Sequence, residues 1–278
     1  GRGLGHVSGG RRLQDCFRRV GLAVVAMVVA VGIAGCSSDQ LLQTNSLTVE
    51  PAKATGGAYA TGNTQSEAPP FNPFRDRSTE DYGRREVISQ PTLDDVMKVG
   101  ALPEMALGRT DAPVTVVKYA SLTCPHCRRF QLKVFPTFKR EYIDTGKVRF
   151  IIREFPIGRS SGNATIALRC VSASKYFTLY DKFLRQQARW VSQEVRLDKI
   201  HAVASQVGLS RSQFDACLKN QDLIQGLKWV KDRGRTLGII GTPNFFIQNK
   251  LVKKVLNIED LRLLIDTELG TRKTIVAN

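Results

Sequence analysis

The chain has 278 residues, 42% hydrophobic and 24% charged, with 41 Lys and Arg against 25 Asp and Glu for a formal net charge of +16. Its basic residues are scattered and no aromatic-interleaved basic motif occurs, which argues against nucleic-acid binding. Residues 1–35 hold five Arg and one Asp, so +12 belongs to the remainder, a mostly solvated charge suited to anionic envelope surfaces or acidic polypeptide segments.

Arg11, Arg12, Arg18 and Arg19 precede an apolar run from Val20 to Ala34 that ends at Ile33-Ala34-Gly35-Cys36. A basic region, an apolar core and small residues before a Cys make the pattern of a bacterial lipoprotein signal, cut ahead of a Cys that takes the lipid. The expectation is a signal peptide over 1–35 with Cys36 lipidated, which puts the rest of the chain outside the cytoplasm on a lipid anchor. An uncleaved span is the competing reading, but a span needs about twenty apolar residues and this run is shorter. Residues 36–87 are rich in Thr, Ser, Ala, Gly, Asn and Pro and read as a flexible tether.

The folded domain is expected over 88–272, followed by a tail at 273–278; some 185 residues suffice for one well-developed core. Thr92 caps a short helix reaching Val99, with Asp95 at its third position. Val114 to Ala120 is a near-continuous β-branched run, a central strand buried on both faces. Apolar residues at helical spacing then lead from Phe130 to Tyr142, Thr145-Gly146 closes that helix, and Val148 to Ile152 forms a second strand. Strand, helix and strand of this length make a βαβ unit with parallel strands.

From about 160 to 237 the pattern is helical: Ala164 to Ala173, Tyr176 to Gln187, Leu197 to Val207, Gln213 to Leu218 and Leu223 to Leu237 carry spaced apolar residues. Ser210 with Gln213 forms a capping box. Strands return at Asn244 to Ile247 and Leu251 to Leu256, joined by a hairpin at Gln248-Asn249-Lys250, where a Lys at positive φ is unfavourable. Asn257 caps a last amphipathic helix bearing Leu261, Leu264 and Ile265.

Between the first strand and its helix stands Cys124-Pro125-His126-Cys127. At a helix start, free N–H groups and the dipole favour a thiolate on Cys124, while Cys127, one turn on, is placed to resolve a mixed disulfide. Pro125 fits the first turn, and a partly protonated His126 adds a cation that favours the thiolate further. Arg128, one turn after Cys124, is a further candidate partner or a plain surface residue. Zinc needs four ligands, and no second CxxC, CxxH or HxxxH follows, so no metal is expected. Of the remaining cysteines, Cys170 and Cys217 lie in two of the helices. Among three connectivities the one pairing them and leaving Cys124 with Cys127 fits best, unless both stay buried free thiols. Gly241-Thr242-Pro243 precedes the third strand, a context that permits a cis bond.

This order of elements, the stretch Ala112 to Ser121, Cys124 to Cys127, Arg153-Glu154-Phe155-Pro156 and Gly241 to Phe246 resemble the DsbA family of extracytoplasmic thiol-disulfide oxidoreductases over roughly 100–270. The resemblance implies an α/β thioredoxin fold with an inserted all-helical subdomain. It implies Cys124 as nucleophile, Cys127 as resolving thiol, and Pro125 and His126 as residues that set redox poise. It further implies that Pro243 is cis and that the Thr242 backbone pairs with extended client peptide. No cofactor beyond the Cys124–Cys127 disulfide is implied; the partners are reduced client polypeptides and a membrane reoxidant of DsbB type, and the domain is monomeric. DsbA itself is the standard example of a strongly depressed Cys pKa and an oxidising disulfide. The chain departs from the family at Lys118, where an acid is usual. Glu154 on the neighbouring strand is expected either to pair with Lys118 as a charge swap or to leave it exposed, and Lys118, Glu154 and Arg128 are the candidates for tuning the poise. The leading function is periplasmic oxidation of client dithiols; an isomerase or reductase and a tethered peptide-binding lipoprotein are the alternatives.

Overall fold

The computed structural model describes residues 86–276, with side chains to Gly270; the signal segment, Cys36 and all but the end of the tether lie outside the described residues. A five-stranded sheet in the order β1-β3-β2-β4-β5 forms its centre. The strands are β1 (Met105–Leu107), β2 (Val114–Ala120), β3 (Val148–Glu154), β4 (Asn244–Ile247) and β5 (Lys250–Val252). β2 and β3 run parallel in the register Val114↔Val148 to Ala120↔Glu154, and every other pairing is antiparallel.

The alternation of β2 divides the core. Val114, Val116 and Ala120 pack with Phe130, Phe138, Phe150 and Phe245 on one side. Val117 and Tyr119 pack with Val96, Ile151, Phe155 and Phe246 on the other. Three-residue β1 escapes sequence reading because so short an edge strand carries no periodicity, and β3 extends two residues past expectation to Glu154.

Helix α1 (Leu93–Met97) carries the expected Thr92–Asp95 capping box. From Pro125 the chain is helical as far as Ile143, but not uniformly. α2 (Pro125–Arg129) passes into a π-helical turn at Phe130–Val134, then α3 (Phe135–Phe138), then a second π-helical turn at Lys139–Ile143. Pro136 has no N–H to give, and next to it Phe135 N–H reaches back five residues to Phe130 O.

Six helices occupy the insertion between β3 and β4: α4 (Gly158–Cys170), α5 (Ala173–Arg185), α6 (Gln187–Trp190), α7 (Leu197–Ala204), α8 (Arg211–Cys217) and α9 (Gln221–Thr236). α4 starts six residues before the apolar pattern does, because its first turn is buried through hydroxyls: Ser161 Oγ lies 2.8 Å from Ser121 Oγ, and Ser160 Oγ donates to Ser192 O. The Ser210–Gln213 capping box opens α8. α9 lies close over the sheet, where a Cβ on Gly234 would come within 2.7 Å of the Tyr119 ring.

The β4–β5 turn falls on Gln248 and Asn249, one residue earlier than expected. Gln248 carries the positive φ of 54°, which leaves Lys250 free to start β5. Gln248 bonds Thr115 through both its backbone N–H and its side-chain oxygen, fastening the turn to β2. β5 ends at Val252 rather than Leu256, and α10 (Ile258–Val276) follows, with Asn257 Oδ1 accepting from Asp260 N–H at 2.7 Å.

Cys170 at the end of α4 and Cys217 at the end of α8 are joined by a disulfide across 47 residues, with Cα atoms 6.2 Å apart. In the chain-entropy description a loop of that length raises stability by about 4 kcal/mol. Replacing both cysteines by Ser should lower the unfolding free energy by about that amount, read as a fall in the urea midpoint at unchanged slope.

Candidate active site

β2 ends at Ala120, and four residues later Cys124 occupies the N-cap of α2 with extended backbone angles (φ −74°, ψ 121°). Its Sγ accepts from Cys127 N–H at 3.3 Å, and Pro125 fills the first helical position, where a missing N–H costs nothing. Cys124 is half-buried and Cys127 is fully buried, both as free thiols. The antiparallel pairing of β2 with β4, Tyr119 opposite Asn244, carries the residues ahead of β4 to the same sheet end. There the Thr242–Pro243 bond is cis, and Cys124 Sγ donates to the Thr242 carbonyl at 3.1 Å.

Buried polar contacts hold this corner. Gln187 Nε2 donates to both Leu122 O (2.7 Å) and Cys124 O (3.0 Å), and Ser121 Oγ accepts from Ile157 N–H. Sequence reasoning missed Gln187 and Ser161; each is one polar residue in an otherwise ordinary helical pattern, with no motif to mark it.

The two thiols are driven apart electrostatically. The Cys127 thiol donating to Cys124 is the largest influence on Cys124; burial opposes it, and with the Cys127 and His126 N–H groups it lowers the pKa to about 5. Burial first, and then Cys124, push Cys127 well above the ordinary thiol range, with Lys118 opposing.

His126 Nδ1 lies 2.8 Å from Arg129 Nη2. One expectation about neighbouring charges needs correction. Lys118 and Glu154 do not form a charge swap, and Lys118 is not exposed. Glu154 sits level with Ala120 on the sheet, two residues beyond Lys118, where Arg169 from α4 grips it through two nitrogens and Tyr176 from α5 donates to it at 2.6 Å. Lys118 is completely buried, with Nζ 3.2 Å from Tyr180 Oη and 4.3 Å from the centre of the Phe130 ring. Arg128 lies exposed on α2.

Among the described residues no group of three or more His, Cys, Asp and Glu is placed to hold a metal, and no helix is long and apolar enough to cross a membrane.

A sheet of this order with a half-buried and a buried Cys at a helix start, facing a cis-proline, defines a thioredoxin-fold protein with a helical insertion. Residues 101–267 match the thioredoxin family model. The crystal structure of Wolbachia pipientis alpha-DsbA1 superposes with a TM-score of 0.59 at 25% identity, covering 66% of this chain and 99% of that one. Oxidised BdbD from Bacillus subtilis superposes with a TM-score of 0.57 at 22% identity, over 66% of this chain and 98% of its own. A Rickettsia conorii protein provisionally named a protein-disulfide oxidoreductase is 31% identical over 175 residues, covering 61% of this chain and 62% of the relative. The match thus spans less than two thirds of that relative. The chain belongs to the thioredoxin family, and its fold resembles that of the DsbA structures on which it superposes.

Two outcomes are expected. Alkylation of the reduced protein should modify Cys124 and spare Cys127, with a rate that is flat above about pH 6 and falls tenfold per unit below pH 5, as the thiolate disappears. Arg169→Met, which strands the buried Glu154 carboxylate, should cost about 3–5 kcal/mol in chemical denaturation.

Proposed function

We propose that the protein is an extracytoplasmic thiol-disulfide oxidoreductase that introduces disulfides into client polypeptides through Cys124 and Cys127. The observation that carries this reading is the asymmetry of the pair: an accessible sulfur held near pKa 5 beside a buried one held high. A stabilised Cys124 thiolate favours the reduced form, so the disulfide form is a strong oxidant.

The exchange then runs in two steps. A client thiolate bonds to Cys124 Sγ as the Cys124–Cys127 bond breaks and Cys127 departs with its electron pair. The client's second thiolate attacks the client sulfur of the mixed disulfide, closing the client's own disulfide and releasing Cys124 as the thiolate, the better leaving group for its low pKa. The Thr242 backbone beside Cys124 suits an extended client segment added as a strand, and Ile240 and Ile157, exposed at 80% and 47%, flank it with apolar surface. Pro243 holds that segment's seat, and Pro125 and His126 complete the redox motif. A membrane reoxidant of DsbB type would restore the disulfide, and a lipid on Cys36 would keep the monomeric domain at the periplasmic side of an envelope membrane.

Equilibration with glutathione buffers tests the direction. A potential well above thioredoxin's, roughly −270 mV, is expected; a value as reducing as thioredoxin's would overturn the oxidase reading in favour of a reductase. Cys127→Ser should accumulate mixed disulfides between Cys124 and reduced clients on non-reducing gels, whereas a peptide-binding lipoprotein would bind clients without adducts.

A further inference from the structure

Four segments meet at the cysteine pair, and none of them carries an Asp or Glu. Residues 121–129 hold the pair itself, and 157–168 join them where Thr123 Oγ1 donates to Ile157 O at 3.3 Å. Residues 186–193 join through Gln187, whose amide reaches Cys124 O at 3.0 Å. Residues 238–243 end at the cis-proline, where Thr242 O accepts from Cys124 Sγ at 3.1 Å. Besides His126, the charge-bearing residues of these segments are Arg128, Arg129, Arg159 and Arg189, all exposed.

Among the described residues no carboxylate pairs with any of the four. Arg129 lies against His126, and Glu194, the next acid along the chain from Arg189, makes no ion pair with them. Exposed Arg109, Arg185 and Arg211, by contrast, are each held by a carboxylate a few residues away. An arginine without an internal partner keeps its field at the surface, over about 8 Å at physiological ionic strength. Several such charges of one sign around a reactive group steer an oppositely charged partner toward it. Ile157 and Ile240 stand exposed among the same segments, so an approaching chain meets cationic and aliphatic surface and no anionic one.

We propose that this arginine rim selects the client: Cys124 reacts preferentially with cysteines set in acidic segments, whose Asp or Glu side chains meet Arg128, Arg159 and Arg189. The proposal rests on the oxidoreductase reading, since it names the substrate class of the same site. The bonds made and broken in the exchange are unchanged, because the arginines act on the encounter that precedes it. One of them comes from the helix that carries the cysteines and two from the insertion, so the preference does not hang on a single contact. A lysine-rich client is repelled by the same field.

Two dithiol peptides, identical except for Glu or Lys beside their cysteines, test this against the oxidised full chain. Each rate is divided by that of the neutral disulfide of mercaptoethanol with the same peptide, which removes the effect of flanking charge on thiol reactivity. The acidic peptide should be favoured about tenfold at low salt. The ratio should fall toward unity near 1 M salt, where the Debye length is about 3 Å. Combining Arg128→Glu with Arg159→Glu should invert the preference, and Arg128→Gln with Arg159→Gln should level it. A ratio of two peptides cancels any change in Cys124 itself. Equal normalised rates at low salt, a preference that salt leaves intact, or a native preference in the charge-reversed variant would each overturn the proposal. Equal rates together with adsorption to vesicles of anionic phospholipid would assign the arginines to a membrane instead. Should neither peptide be oxidised, the oxidase reading falls, and the rim is read from the reduced chain. Its Cys124 should then displace thiopyridone from the thiopyridyl-activated acidic peptide about tenfold faster than from the basic one, relative to a neutral thiol, and equal rates there would overturn the rim as well.

Discussion

The pairing of β2 with β4 is the constraint on which the site depends. Lys118 opposite Phe245 and Tyr119 opposite Asn244 fix the register, so the residue pair before β4 arrives beside the residues that follow β2. Neither element makes the site alone. β2 delivers Cys124 to the N-cap of α2, and β4 delivers the Thr242 carbonyl to within 3.1 Å of its sulfur, although 118 residues separate the two in sequence. A one-residue slip in this pairing would turn every β4 side chain to the opposite face and remove Thr242 from the sulfur at the same time. The turn at Gln248, bonded twice to Thr115, pins that register from the far end.

Charge inside the molecule is arranged by the same sheet. β3 carries three charged residues near its ends, and two are neutralised in place: Arg153 by Glu104, Glu154 by Arg169. Arg149 shares Glu104. These pairs lie toward β1 and the helical insertion, where a structural ion pair has no reacting group to perturb. Lys118 on β2 is different in kind. Its contacts are the Phe130 and Tyr180 rings and the Tyr180 hydroxyl, with no carboxylate among them, and burial lowers its pKa while the charge of the two cysteines works the other way. The line between scaffold electrostatics and site electrostatics thus runs between two adjacent strands.

Much of this was legible from the chain because it rests on local patterns. The unbroken apolar run of β2, the Thr92 and Ser210 capping boxes, the CxxC at a helix start and the Asn257 cap each obey short-range rules, and each appears where those rules put it. What was illegible depended on partners distant in sequence. Strand adjacency leaves Glu154 either to pair with Lys118 or to leave it exposed, but Arg169 and Tyr176, 15 and 22 residues further on, reach Glu154 from the insertion. Gln187, which clamps the corner of the site through two carbonyls, has no signature at all.

The two π-helical turns between Phe130 and Ile143 bear on how this helix tolerates change. A π turn is an α-helix with one residue too many, and its hydrogen bonds, Phe135 N–H to Phe130 O and Asp144 N–H to Lys139 O, skip that surplus residue. Phe138 and Tyr142, which follow the first insertion, pack on the sheet core because the extra residue has rotated the helix beneath them. The catalytic end before Phe130 and the packing end after it are therefore decoupled in length. The helix can absorb the gain or loss of a residue at either surplus position while Cys124 stays at its cap, a tolerance that a regular helix, with every side chain locked to its neighbours, does not have.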